Sequence, residues 1–70
     1  MTSEDFEFNQ RVQINWPSNP VLHGEYAIVI GYEEDDCLKL RFETYKDKFD
    51  AYEDTITGSV CVEAYFLVPA

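Results

Sequence analysis

Seventy residues, with 14 acidic side chains against five basic ones, give one small domain of net charge −9 and pI near 4.2. That balance excludes the phosphate-neutralising basic surface from which nucleic-acid binders draw most of their affinity, and an anionic membrane surface repels it. No run approaches the ~20 apolar residues that span a bilayer, whereas a 46% hydrophobic content with five Tyr, five Phe and one Trp supplies the ring area of an ordered core.

Residues 1–9, MTSEDFEFN, read as an acidic N-terminal tail in which Phe6 and Phe8 are candidate anchors. The tail lacks the basic start and apolar run of a secretory signal, so the chain is expected in the cytoplasm. The folded domain is placed at 10–70. From Arg11 the chain alternates, with Val12, Ile14 and Trp16 on one face and Arg11, Gln13 and Asn15 on the other. That period marks a half-buried strand. Pro17 ends it, because proline donates nothing to the ladder. The following PSNPVLHG is loop chemistry. It is expected to fold back with Val21 or Leu22 plugging one end. Gly24 is expected to take a positive φ or to lie where two segments come close.

Glu25 to Tyr32 reads as the second strand, with Tyr26, Ile28, Ile30 and Tyr32 on one face and Ala27, Val29 and Gly31 on the other. Both faces are apolar, which predicts burial between two orthogonal layers. The small Ala27 and Gly31 mark a sharp bend or a close backbone approach. Glu33 to Asp36 makes a tight acidic turn. Cys37 to Phe42 then alternates again, Leu38, Leu40 and Phe42 inward and Lys39 and Arg41 outward. Tyr45, Phe49, Tyr52 and Ile56 recur at a helical period. The segment 45–56 is therefore either a short helix, with Thr44 and Asp47 at its start, or a long acidic excursion. Val60 and Val62 belong to a fourth strand. Glu63-Ala-Tyr is read as a single tight turn, and Phe66 to Val68 as a last strand stopped by Pro69.

Candidate chemistry is sparse. Cys37 and Cys61 fit no Cys-x-x-Cys spacing and are expected to stay reduced. His23, the one histidine, sits in the Pro/Gly-rich loop. The acidic run at 33–36 lacks the alternating Asp spacing of a calcium loop, which favours a solvated turn. The three glycines, Gly24, Gly31 and Gly58, are too scattered for a phosphate loop. No pair of carboxylates converges on an identifiable pocket. A protein without catalysis, cofactor or metal is expected.

Five strands in this order, with a long first loop, a tight acidic turn and a short turn before the last strand, resemble an SH3-like barrel. The expected architecture is all-β: one small SH3-like barrel of about five antiparallel strands. From Gly24 onward, Gly24-x-x-Ala27-x-Val29, an acidic turn and Leu38-x-Leu40 resemble a KOW-type segment. More of the chain, from Arg11 to Val68, resembles the small SH3-like peripheral subunit of photosystem I. Its Arg-Val-x-Ile strand meets Arg11 to Ile14, and its Gly-x-Val-x-x-Val and Val-x-Val-Arg-Phe stretches meet Gly24 to Val29 and Leu38 to Phe42. The KOW resemblance implies basic loops for RNA, and the photosystem resemblance implies basic residues that dock an acidic carrier. This chain carries neither set.

The resemblance implies an accessory or adaptor protein that binds other macromolecules, and the chain's own carboxylates and rings place the contact on an acidic and aromatic surface. Its partner is expected to be a protein with a basic surface, and the chain itself a monomer or weak homodimer. Partner-binding residues are placed at Trp16, Pro17, Pro20 and His23 of the first loop and at Tyr26 and Tyr32 of the second strand. Glu33, Glu34, Asp35, Asp36, Asp47 and Asp50 supply the acidic part. Tyr45, Tyr52 and Tyr65 are further candidate rings. Two other readings stay open, a KOW-like nucleic-acid-associated protein and an acidic nucleic-acid mimic that inhibits a DNA- or RNA-binding protein.

Overall fold

The computed structural model describes residues 2–44, 46–49 and 58–70. Five strands form one antiparallel sheet: β1 (Arg11–Ile14), β2 (Tyr26–Tyr32), β3 (Cys37–Phe42), β4 (Val60–Glu63) and β5 (Leu67–Pro69). Their order is β4-β3-β2-β1-β5. The expected barrel is not closed: β4 and β5 are the two edges of the sheet. Three short 3-10 turns complete the described structure, at Ser3–Asp5, Asp47–Phe49 and Ala64–Phe66. Of the helix considered over 45–56, residues 46–49 carry only that single turn. Tyr45, Tyr52, Ile56 and the rest of 50–57 lie outside the described residues.

The two-residue period of β1 and β3 decides the core. Val12 and Ile14, then Leu38, Leu40 and Phe42, are buried, while Arg11 and Arg41 face solvent. β2 corrects the two-layer expectation. Ala27 and Val29 are buried, but Ile28 and Ile30 are only half-buried, and Tyr26 and Tyr32 are 39% and 53% exposed. One sheet has one core face, so the second apolar row stays at the surface. The bend expected at Gly31 is a β-bulge. Val29 pairs with Leu40 but Gly31 pairs with Lys39, which leaves Ile30 as the extra residue. A bulge kinks the strand and increases its twist, and so curls the sheet.

Both chain ends tie onto this sheet. β5 pairs with β1 through Val12↔Pro69, Gln13↔Val68 and Ile14↔Leu67. Before β1, Phe6 sits in the core at 2% exposure, and its carbonyl accepts a hydrogen bond from the Tyr32 hydroxyl. Phe8, the other expected anchor, is 61% exposed. The long loop folds back as expected and buries Leu22 at 1% exposure, with Val21 packed partly against the core. Asn19 holds it: its side-chain oxygen accepts from the amides of Val21 and Leu22, each at 3.2 Å. Gly24 closes it at φ +85, with nothing near a would-be Cβ. Positive φ, rather than a close approach, therefore explains the glycine.

Phe6 and Phe8 give a paired test of the N-terminal anchor. Phe6→Ala should cost about 3–5 kcal/mol in urea-unfolding stability, a large share of what a domain this small possesses. Phe8→Ala should stay within about 0.5 kcal/mol of the parent. Equal losses would show that Phe6 does not fill the core.

Candidate functional site

The register between β1 and β5 builds a surface groove. Continued past Ile14↔Leu67, it sets Asn15 against Phe66, and the Asn15 amide donates to the Phe66 carbonyl at 2.7 Å. One step further Trp16 meets the 3-10 turn Ala64–Phe66. The Trp16 ring stacks on Phe66 with centroids 4.3 Å apart and planes 13° from parallel. Tyr65 stands edge-on to Phe66, at 5.2 Å and 83°. Asn15, Trp16, Pro17, Ser18, Tyr65 and Phe66 line a shallow open groove of about 560 Å³. Tyr65 is the most exposed large apolar side chain among the described residues, at 77%.

The acidic turn borders the same 3-10 turn. Ala64 donates its amide to the Asp36 carbonyl at 3.0 Å, and Glu63 pairs with Cys37 at the start of β3. Asp35 and Asp36 both take φ +60, and the Cys37 amide closes the turn onto the Glu34 carbonyl at 3.3 Å. Two successive left-handed residues are what a two-residue hairpin turn demands, and Asn-Gly is the usual solution. This chain uses two carboxylates instead. The Asp36 side chain is anchored, accepting from the Ser3 amide at 2.7 Å. Hydrogen bonding from Ser3 holds its carboxyl below the usual aspartate range.

Most of the basic side chains are paired. Arg11 is paired with Glu43 and lies over the Tyr26 ring at 4.0 Å. Lys46 and Lys48 converge on Glu25, at 2.8 and 2.6 Å, and Lys39 reaches Glu33 at 3.4 Å. Four of the five basic side chains are therefore held in ion pairs. Burial raises the Glu25 carboxyl, but its hydrogen bonds to Lys46 and Lys48 outweigh that, and it rests below the ordinary glutamate range.

The expected contact residues divide accordingly. Trp16 and Pro17 line the groove, and Glu33, Glu34, Asp35 and Asp36 form the acidic edge beyond it. Pro20 is exposed on the loop outside the groove lining. His23 is a clamp, its Nδ1 accepting from the Trp16 amide at 3.0 Å. Tyr26 lies under Arg11 and lines a separate small pocket with Glu25, Glu43, Thr44 and Lys46. Tyr32 ties down the Phe6 carbonyl. Asp47 is exposed on its 3-10 turn, and Asp50 lies outside the described residues. Phe66, read from sequence as the start of a strand, is the groove floor. Tyr65, read as a loose candidate ring, is its wall. The missed signal was register: once the last strand pairs with the first, Tyr65 falls opposite Trp16.

Other chemistry is thin. Cys37 and Cys61 lie on neighbouring strands and neither is in a disulfide. Burial first, then the charges of Glu63, Cys61, Asp35 and Asp36, push the Cys37 thiol up and reduce its thiolate fraction. Among the described residues, no three His, Cys, Asp or Glu side chains are grouped to hold a metal ion, and no helix is long and apolar enough to cross a membrane. Compared with known protein families, curated proteins and solved structures, the chain matches none of them.

Two outcomes follow from these electrostatics. Because folding lowers the pKa of Glu25, its ion pairs add stability above the ordinary glutamate range. That contribution disappears as pH falls through the depressed value. In acid titrations followed by circular dichroism, Glu25→Gln should flatten this limb, and an unchanged limb would contradict the ion-pair geometry. Asp35→Asn relieves like-charge crowding at a left-handed position and should raise the thermal midpoint. A gain of about 0.5–1 kcal/mol corresponds to roughly 2–8 °C for a domain this small.

Proposed function

We propose that this chain is a non-catalytic accessory protein with an SH3-like architecture, and that it binds a protein partner through the groove between Trp16 and Tyr65 together with the acidic edge beside it. The strand order, the long loop between β1 and β2 and the 3-10 turn before β5 support the architectural part. The open sheet corresponds to a barrel of this kind that is curled but unclosed. The groove carries the functional part. An exposed tyrosine set edge-on to a stacked Trp–Phe pair is a rigid, amphipathic contact surface that loses little side-chain entropy on binding.

Local strain adds weight. A tight turn built from two left-handed aspartates within four successive carboxylates sacrifices stability that Asn-Gly would keep. Departures of this sort from local consistency concentrate where function is placed. With four cations tied up in ion pairs, little basic surface is left to neutralise phosphates. The partner class is therefore protein rather than nucleic acid.

Capture from native lysate at low and high salt, with mass spectrometry, tests the reading. The parent chain and a Pro17→Ala/Tyr65→Ala variant are compared, since both side chains are exposed and their loss leaves the core intact. A partner retained by the parent and depleted about 30-fold by the variant is expected, the scale of a hot spot worth about 2 kcal/mol. Identical retention by both, with circular dichroism showing both folded, would remove the groove from the contact surface.

A further inference from the structure

The chain treats its surface rings unequally. It covers Tyr26 with its own Arg11 at 4.0 Å. Tyr65, more exposed than Tyr26 by 77% to 39%, receives no cation among the described residues. At 77% exposure and with its plane 83° from that of Phe66, the Tyr65 ring is largely open to solvent beside Trp16 and Pro17. Acidic residues neighbour Tyr65 through the backbone. Glu63 lies two residues before it, and the 33–36 turn is bonded to Ala64, its immediate neighbour. Lys39, the cation nearest that edge in the ladder, is drawn to Glu33.

Open aromatic faces attract cations, and the attraction strengthens where the cation is desolvated. A guanidinium suits such a place better than an ammonium. It is planar, stacks on rings and is weakly hydrated, and its fork engages carboxylates in pairs. We infer that the groove receives an arginine-bearing extended segment of the protein partner, its guanidinium lying on Tyr65 and balanced by the exposed carboxylates of Glu34, Asp35 and Glu63. This rests on the groove being the contact surface and adds the chemistry of its occupant. Charge complementarity selects that occupant. A second copy of this chain would bring another net charge of −9 to the same edge, and a neutral apolar peptide would leave the flanking carboxylates unused.

A displayed library of random dodecapeptides, selected on the folded parent protein and then screened against the Tyr65→Ala variant, tests the inference. Arginine should be enriched in the selected peptides above lysine and above its input frequency. For a synthetic representative, replacing its arginine by glutamine should weaken binding about 10-fold or more. Tyr65→Ala should do the same, while Tyr65→Phe, which keeps the ring face, should stay within about 3-fold. Neutralising the flank with Glu63→Gln and Asp35→Asn should weaken binding several-fold and flatten its salt dependence. Peptides that lack arginine yet lose binding in Tyr65→Ala would overturn the arginine inference and leave the groove reading standing. Arginine peptides bound equally by parent and Tyr65→Ala would overturn both, and selected peptides with no arginine enrichment would overturn the arginine inference alone.

Discussion

The pairing of β1 with β5 is the constraint on which the rest depends. It joins Val12 to Pro69 and Ile14 to Leu67, residues from opposite ends of the chain. Closing so long a loop costs entropy that no local contact returns. Burial supplies the compensation. Val12, Ile14 and Leu67 are each no more than 1% exposed, in one core with Phe6, Leu22 and Leu40. Once the register is set, the groove follows without further adjustment. The Asn15 amide finds the Phe66 carbonyl, Trp16 stacks on Phe66, and Tyr65 is lifted to the surface by a 3-10 turn too short to bury it.

Charge is arranged with the same economy. Nine excess negative charges on a domain this small oppose compaction. The molecule confines its described ion pairs to Arg11 with Glu43, Lys46 and Lys48 with Glu25, and Lys39 with Glu33. Glu34, Asp35 and Glu63 are left exposed. Pairing shields one part of the surface and leaves the field concentrated on another. Glu25 is sheltered between two lysines, whereas the 33–36 turn, with Asp35 and Asp36 in left-handed backbone, is exposed.

Much of the fold was legible in sequence because side-chain alternation is a local signal. β1 and β3 each carry one apolar and one polar row, so Val12, Ile14, Leu38 and Leu40 could be assigned inward at once. β2 was harder. Two apolar rows suggested two covering layers, and the shift at Ile30 is a pairing property that single-strand patterning does not contain. Phe6 and Phe8 are equally hydrophobic, and only tertiary packing separates the buried ring from the exposed one. The site divides along the same line. Trp16, Pro17 and the 33–36 carboxylates announce themselves by type and by turn chemistry. Tyr65 and Phe66 become part of the site only through a register between residues about 50 positions apart, a non-local fact.

That register is most directly tested by nuclear magnetic resonance of the uniformly labelled chain. Nuclear Overhauser contacts between the Trp16 indole and Phe66 ring protons, ring-current shifts on both, and slow exchange of the Asn15 amide are the result this account predicts. Trp16 resonances near random-coil positions, with an Asn15 amide exchanging as fast as an unprotected one, would contradict it and dissolve the groove.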